Sequence, residues 1–319
     1  MVAISERFLV TGALGCIGAW AVKQLVEAQV PVWTYDLPGS QHRLNLILDD
    51  AALSKVNLLN GDITDFKAFE HAVADHNITH IIHLAALQVP FVKADPVRGA
   101  QVNVVGTANV LEVAHRYQDQ LHGVAYASSI AVFGPSGQPQ PSTLYGVYKH
   151  ANEDMARIYW QDYGLRTVGL RPHTVYGPGR DQGMTSTPTK AMLAAAIGRA
   201  YRISFGGTSV FHHARDMADV FIRAARAKLD NAPVFDVGGN IVTMDEIVAA
   251  ITAAAPDSVG HITYTPVLPS VPATPDVESM EAALGKINWT PLNEGVRSTV
   301  ELFREAVQSG KVDVERVLA

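Results

Sequence analysis

A single cysteine, Cys16, in 319 residues excludes an internal disulfide framework and fits a reducing compartment, the cytoplasm. Cationic residues are also sparse: 25 Lys and Arg against 31 Asp and Glu give a net charge of −6. Without a basic stripe, no nucleic-acid partner is expected. No apolar run approaches the roughly 20 residues that span a bilayer, and a stretch such as Met192 to Ile197 is far too short. The N-terminus lacks a signal-peptide pattern, because Glu6 and Arg7 precede the first apolar segment. No repeat of solenoid period is present. What remains is 48% hydrophobic and 18% charged, which suits a globular enzyme with a large core, and the length fits one large α/β domain or one such domain with a small appendage.

The chain is organised around Phe8-Leu9-Val10-Thr11-Gly12-Ala13-Leu14-Gly15-Cys16-Ile17-Gly18. An apolar run ends at Thr11, three glycines follow at three-residue spacing, and a helical pattern continues through Trp20, Leu25 and Val26. Strand, tight turn and helix start together form a seat for a dinucleotide pyrophosphate. Gly12 permits the turn, Gly15 lets backbone approach the phosphates, and Gly18 lets the helix pack on the strand. The first helical N–H groups, at Cys16 and Ile17, and the positive end of the helix dipole face the anion. Cys16 is read as a small space-filler rather than a reactive thiol. A second strand, Val32-Trp33-Thr34-Tyr35, ends in Asp36, where a carboxylate accepts hydrogen bonds from the adenosine ribose. It would repel a 2′-phosphate, so NAD is expected over NADP; Arg43 is the nearest cation able to reverse that preference.

Strands then alternate with helices, the rhythm of a Rossmann-type doubly wound parallel sheet in an α/β protein. A third strand at 56–62 puts Asp62 and Ile63 beside the adenine. A fourth at 78–84 ends in Leu84, and Ala85-Ala86 lets backbone pass close to the cofactor. A helix is expected over 96–117, a strand over 124–127 ending in Ser128-Ser129, a helix over 144–163 and a strand over 167–170. Ligands in such folds bind at the carboxyl ends of the strands, which places Ser128 and Ser129 on the working edge. We read 1–171 as the NAD-binding domain and 172–319 as a substrate-binding region interleaved with returning core elements. The second part carries helices at 190–200, 216–229 and 293–307, a strand at 234–237 and an irregular surface or lid at 266–275. Thr243-Met244-Asp245-Glu246 is a capping box that opens another helix.

Tyr145 and Lys149 lie four apart at a helix start and project from one face. An ammonium near a phenol favours the phenolate. Such a tyrosine takes the proton of a substrate hydroxyl as hydride leaves the carbon. Ser129 offers a hydroxyl to the same oxygen, and Lys149 can also bond the nicotinamide ribose. His76, His80 and His83 flank a strand and are expected on the surface or in the core. His212-His213 is expected to pack in a loop or the core, and no metal is expected. Tyr176 is a packing residue.

In order and spacing the chain resembles the extended short-chain dehydrogenase/reductase superfamily, its NAD-dependent epimerase/dehydratase group. The matching segments are Thr11–Gly18, His83–Ala86, Ser128–Gly134, Tyr145–Lys149 and Arg171–Gly179, with Asn103-Val104-Val105-Gly106-Thr107 matching the family's helix after the fourth strand. The resemblance implies an NAD(P) cofactor and a catalytic trio of Ser129, Tyr145 and Lys149. It also implies that Asn103 belongs to the cofactor site and that Pro172, His173, Thr174 and Val175 line the nicotinamide. It implies a homodimer through the helices near 96–117 and 144–163. Two departures narrow the reading. Ile130 and Ala131 stand where the group's dehydratases place Asp-Glu, which argues against elimination. Ser209 stands where the nucleotide-sugar epimerases place a diphosphate-gripping arginine, and losing that clamp removes charge-assisted hydrogen bonds. Arg180 or Arg215 can stand in for it, and His173 lies beside the same pocket. The expected activity is therefore NAD-dependent oxidoreduction at a secondary alcohol of a small sugar, sugar acid or related polyol. A sugar or nucleotide-sugar epimerase with tightly held NAD is the alternative, and a non-catalytic NAD sensor a remote one.

Overall fold

A computed structural model of the protein describes residues 5–134, 137–267 and 277–319. The irregular run expected at 266–275 therefore lies, from 268 onward, outside the described residues. In chain order the strands are β1 (Phe8–Thr11), β2 (Val32–Asp36), β3 (Asn57–Asn60), β4 (His80–His83), β5 (Gly123–Ala127) and β6 (Val168–Arg171). After them come β7 (Thr174–Tyr176), β8 (Tyr201–Ile203), β9 (Thr208–His213), β10 (Val234–Asp236), β11 (Asn240–Thr243) and β12 (Ile262–Tyr264). Seven form one parallel sheet in the order β10-β6-β5-β4-β1-β2-β3. The order reverses between β1 and β4, and the crevice at that switch point is where ligands bind in doubly wound sheets.

The short apolar runs become strands buried on both faces, as in most parallel sheets, except the edge strand β3, which is largely exposed. Alternation divides their side chains between two cores. Phe8, Val10, Ile82 and Ala125 pack with the first helix, Cys16–Glu27, and the helix Ala214–Arg226. Leu9, Ile81, Val124 and Tyr126 pack on the opposite face with the helices Phe66–Asp75, Gly106–Arg116 and Leu144–Tyr163. A third core, around Met192, Phe211, Ile247 and Phe303, holds the second region together. There β11-β9-β7 and β12-β8 make two small sheets. The capping box forms as expected: the Thr243 hydroxyl accepts the Glu246 N–H, and the Glu246 carboxylate accepts the Thr243 N–H at 2.7 Å.

The helix expected over 96–117 is interrupted. Pro96–Ala100 and Gly106–Arg116 are α-helical, and Gln101–Val105 between them is a π-turn. The widened turn leaves the Asn103 carbonyl to accept bonds from Asn152 Nδ2 at 2.9 Å and Thr107 Oγ1 at 2.8 Å. Single π-turns of this kind are frequent beside functional sites.

Candidate active site

The switch point opens into a cleft of about 1040 Å³. One end is built by the glycine turn. Gly12 has φ +66, and a Cβ there would stand 2.6 Å from Ala85 N. A Cβ on Gly18 would stand 2.4 Å from Gly12 O. Only glycine lets β1, the turn and the helix close up in this way. The first helix has no side-chain cap, so its leading N–H groups are left for an anion in the cleft. These features fit an NAD-type dinucleotide, with Asp36, Asp62, Ile63, Leu84, Ala85 and Ala86 further along the same wall. Burial pushes the Cys16 thiol up to about 11, which leaves it a filler of space.

The strand-end alanines are positioned by a buried chain of hydrogen bonds. Thr11 Oγ1 accepts from the N–H groups of Leu84 at 3.2 Å and Ala85 at 3.3 Å. Its own proton then goes to His83 Nδ1, 2.7 Å away. That fixes the tautomer: His83 Nε2–H donates to Thr107 Oγ1 at 3.1 Å, which donates to Asn103 O. Burial pushes the His83 pKa down to about 3, so the ring stays neutral and structural.

At the other end, the Thr143 hydroxyl caps the helix Leu144–Tyr163 by accepting the Gly146 N–H at 3.1 Å. Tyr145 lies in the first turn and Lys149 one turn later. Ser129 follows β5, and all three line the cleft with Ser128, Pro172, His173, Thr174 and Val175. The ammonium of Lys149 donates to Ala127 O at 2.6 Å and stands 5.7 Å from the centre of the Tyr145 ring. The expected acidification of the phenol by Lys149 is absent in this geometry. Burial holds Tyr145 above the ordinary phenol value, and the groups that oppose burial are the Ser129 hydroxyl and the Arg180 guanidinium. Burial also pushes Lys149 down to about 8, against the pull of Glu153.

Glu153 was not singled out in the sequence, although it sits four residues beyond Lys149. It accepts the Ser128 hydroxyl and a two-pronged bond from Arg171, 2.7 Å each from Nε and Nη2. Arg171 also reaches Asp236 at 3.2 Å. This network ties the helix bearing Tyr145 to β6 and β10. Asp181, like Gln88 and Thr185 of the same cleft, carries no sequence signal. It accepts from Arg43 at 2.6 Å, His42 at 3.0 Å and Arg316 at 2.9 Å. Burial pushes its carboxyl up, but these three basic groups outweigh burial and hold it below the usual carboxylate range.

Two expected site residues lie outside the cleft lining. The Asn103 amide spans Leu87, accepting its N–H at 2.7 Å and donating to its carbonyl at 2.9 Å; it shapes the wall from behind. Arg215 is exposed at the start of the helix Ala214–Arg226. His212 and His213 lie on β9 with buried side chains, and Tyr176 is fully buried, all as packing residues. Ser209 lines the cleft.

A sequence profile of the NAD dependent epimerase/dehydratase family matches residues 8–238. UDP-glucuronate 4-epimerase 2 of Arabidopsis thaliana is 31% identical over 240 residues, 70% of this chain and 54% of the plant protein. The chain thus spans about half the length of that relative. Among solved structures, the UDP-glucose 4-epimerase of Thermus thermophilus in complex with NAD is 26% identical, with a TM-score of 0.77 over 94% of this chain and all of that one. The L-threonine dehydrogenase of Clostridium difficile has a TM-score of 0.82 over 94% and 98% of the two chains at 22% identity, a likeness of fold.

Proposed function

The chain belongs to the NAD-dependent epimerase/dehydratase family, of the extended short-chain dehydrogenase/reductase type, and on that premise we propose that it oxidises a secondary alcohol of a small sugar, sugar acid or related polyol. The observation that carries this reading is the meeting of Ser129, Tyr145 and Lys149 with the glycine turn in one cleft. Residues 1–171 hold the dinucleotide in this proposal, and 172–319 shape the substrate side. When bound, NAD supplies the hydride acceptor. Tyr145 would act as its phenolate, a form that the positive charges of bound NAD and of Lys149 would favour against the burial that raises its pKa. It would take the hydroxyl proton at that oxygen, Ser129 would donate to the same substrate oxygen, and Lys149 would hold the nicotinamide ribose. General-base help of this kind contributes about 10²–10⁴-fold. Tyr145→Phe should therefore lower NADH formation by at least about 10²-fold while leaving NAD binding, read by calorimetry, intact. Undiminished turnover would remove Tyr145 as the base.

NAD is favoured over NADP because the cation that could reverse the preference is engaged elsewhere. Arg43 donates from Nε to Gly179 O at 3.0 Å, from Nη1 to Leu14 O at 2.7 Å, and to Asp181. Arg98 is likewise paired, with Asp62 at 2.7 Å.

The likeness to two epimerases favours a second reading, transient oxidation followed by hydride return to the opposite face. Purified protein carrying NAD that resists dialysis, with no net absorbance change at about 340 nm during turnover, would select it. Freely exchanging NAD selects the dehydrogenase.

We also propose a homodimer through the 96–116 and 144–163 helices. Val97, Val105, Val147 and Ile158 are exposed there, an apolar face that a partner copy would cover. Val105→Glu together with Ile158→Glu should convert a dimer to a monomer in light scattering. A wild-type monomer would refute the interface.

A further inference from the structure

Among the described residues, four cations line the cleft: Arg43, Arg98, Lys149 and Arg180. The first two are held in ion pairs and the third by a backbone carbonyl. Arg180 differs. Among the described residues the one hydrogen bond of its guanidinium is from Nη2 to Thr185 Oγ1 at 3.0 Å, and its Nε is buried without a partner. The neighbouring Asp181 acts on it only at a distance and makes no ion pair with it, because that carboxylate is bonded by Arg43, His42 and Arg316.

The surroundings are those of a prepared subsite. Gly177 and Gly179 adopt φ +115 and +90, and Arg43 grips Gly179 O, so the loop leading to Arg180 is fixed. Gln88 faces it across Gly183: a Cβ at that glycine would meet Gln88 Oε1 at 2.1 Å and Arg180 Nη2 at 3.3 Å. Gln88 Oε1 is itself buried without a partner. A guanidinium keeps its charge in proteins, and a buried charge without a counter-ion is strongly disfavoured. The group that complements it is an anion. The pyrophosphate of the cofactor already has the uncapped start of the first helix. One guanidinium, next to a hydroxyl and an amide, matches a single carboxylate flanked by hydroxyls rather than a diphosphate.

We propose that Arg180 receives the carboxylate of the substrate, with Gln88 and Thr185 taking flanking hydroxyls, so that the substrate is a polyhydroxy acid. The claim deepens the hydride-transfer reading but is tested by binding alone. Glycerate, threonate and gluconate would be compared with glycerol, threitol and glucitol by thermal shift and calorimetry, with NAD present. At least one acid should bind the wild type about tenfold or more tighter than its neutral counterpart, and Arg180→Gln should abolish that difference. Arg180→Lys should keep part of it, and NAD affinity should stay within about twofold in both variants. Equal binding of acids and polyols, or no binding of any acid, overturns the proposal. So does an Arg180→Gln variant whose loss falls on NAD affinity, which would assign the guanidinium to a cofactor phosphate. Acid binding without NADH formation would sink the redox reading and leave the subsite standing; polyol oxidation with no preference for acids would do the reverse.

Discussion

Asp36 shows how one side chain can serve the fold and a ligand together. Its carboxylate accepts one N–H on each oxygen, Leu14 at 2.9 Å and Leu37 at 2.9 Å, and thereby joins the glycine turn to the end of β2. Each oxygen retains a lone pair toward the cleft, suited to ribose hydroxyls. Burial raises its pKa, opposed by those two N–H groups and by Arg43. A hydrogen bond to a charged group contributes about 1.5–3 kcal/mol. Asp36→Ser should therefore weaken NAD about tenfold to a hundredfold. NADP should gain less than NAD loses, because Arg43 remains tied to Asp181. Titration of both cofactors checks this, and unchanged NAD affinity would exclude Asp36 from the ribose site.

At the scale of elements, the first strand, turn and helix succeed or fail as a unit. A methyl group on Gly18 would stand 2.4 Å from Gly12 O and 2.7 Å from Ala13 Cα, both backbone atoms that must move. Gly164 makes a control. It ends the 144–163 helix at φ +67 with nothing within 4 Å of a Cβ, so alanine there meets only left-handed backbone strain of about 1–2 kcal/mol. Gly164→Ala should lower Tm and leave NAD affinity alone. Gly18→Ala should lower Tm and weaken NAD as well. If both variants bind NAD like the wild type, the turn is not the phosphate seat. These local features were legible in the sequence because their partners are near in the chain: the turn with its helix, and the Thr243 capping box. The Asp181 cluster was not, since Arg43 lies 138 residues away and Arg316 135. The π-turn was hidden for a different reason. Val102, Val105, Ala108 and Leu111 carry a helical pattern across it, and only tertiary bonds from Asn103 and Asn152 mark the widened residue.

Across the whole molecule, buried histidines couple the fold to pH. His80, His83, His212 and His213 are each at most 7% exposed. Burial pushes their pKa values down to about 4, 3, 3 and 4. All four rings belong to structural joints: His80 to the Thr79 hydroxyl at 2.9 Å, His83 to the Thr11–Thr107 chain, His212 to the His173 N–H at 3.0 Å, and His213 to the Arg215 N–H at 3.3 Å. In the unfolded chain each titrates near the ordinary ~6.5. Between that value and about 4 the unfolded state binds more protons than the folded one, so stability rises with pH and is lost on acidification. Each site removes about 1.4 kcal/mol per pH unit once the unfolded ring is charged. Together they withdraw up to about 5 kcal/mol over one unit, comparable with the whole stability of a typical domain. The protein should hold a steady Tm from pH 8 to 7, lose it steeply between about 6.5 and 5, and take up several protons as it unfolds in that window. A Tm that stays flat from pH 7 to 5 would mean that these rings reach solvent or keep their charge when folded.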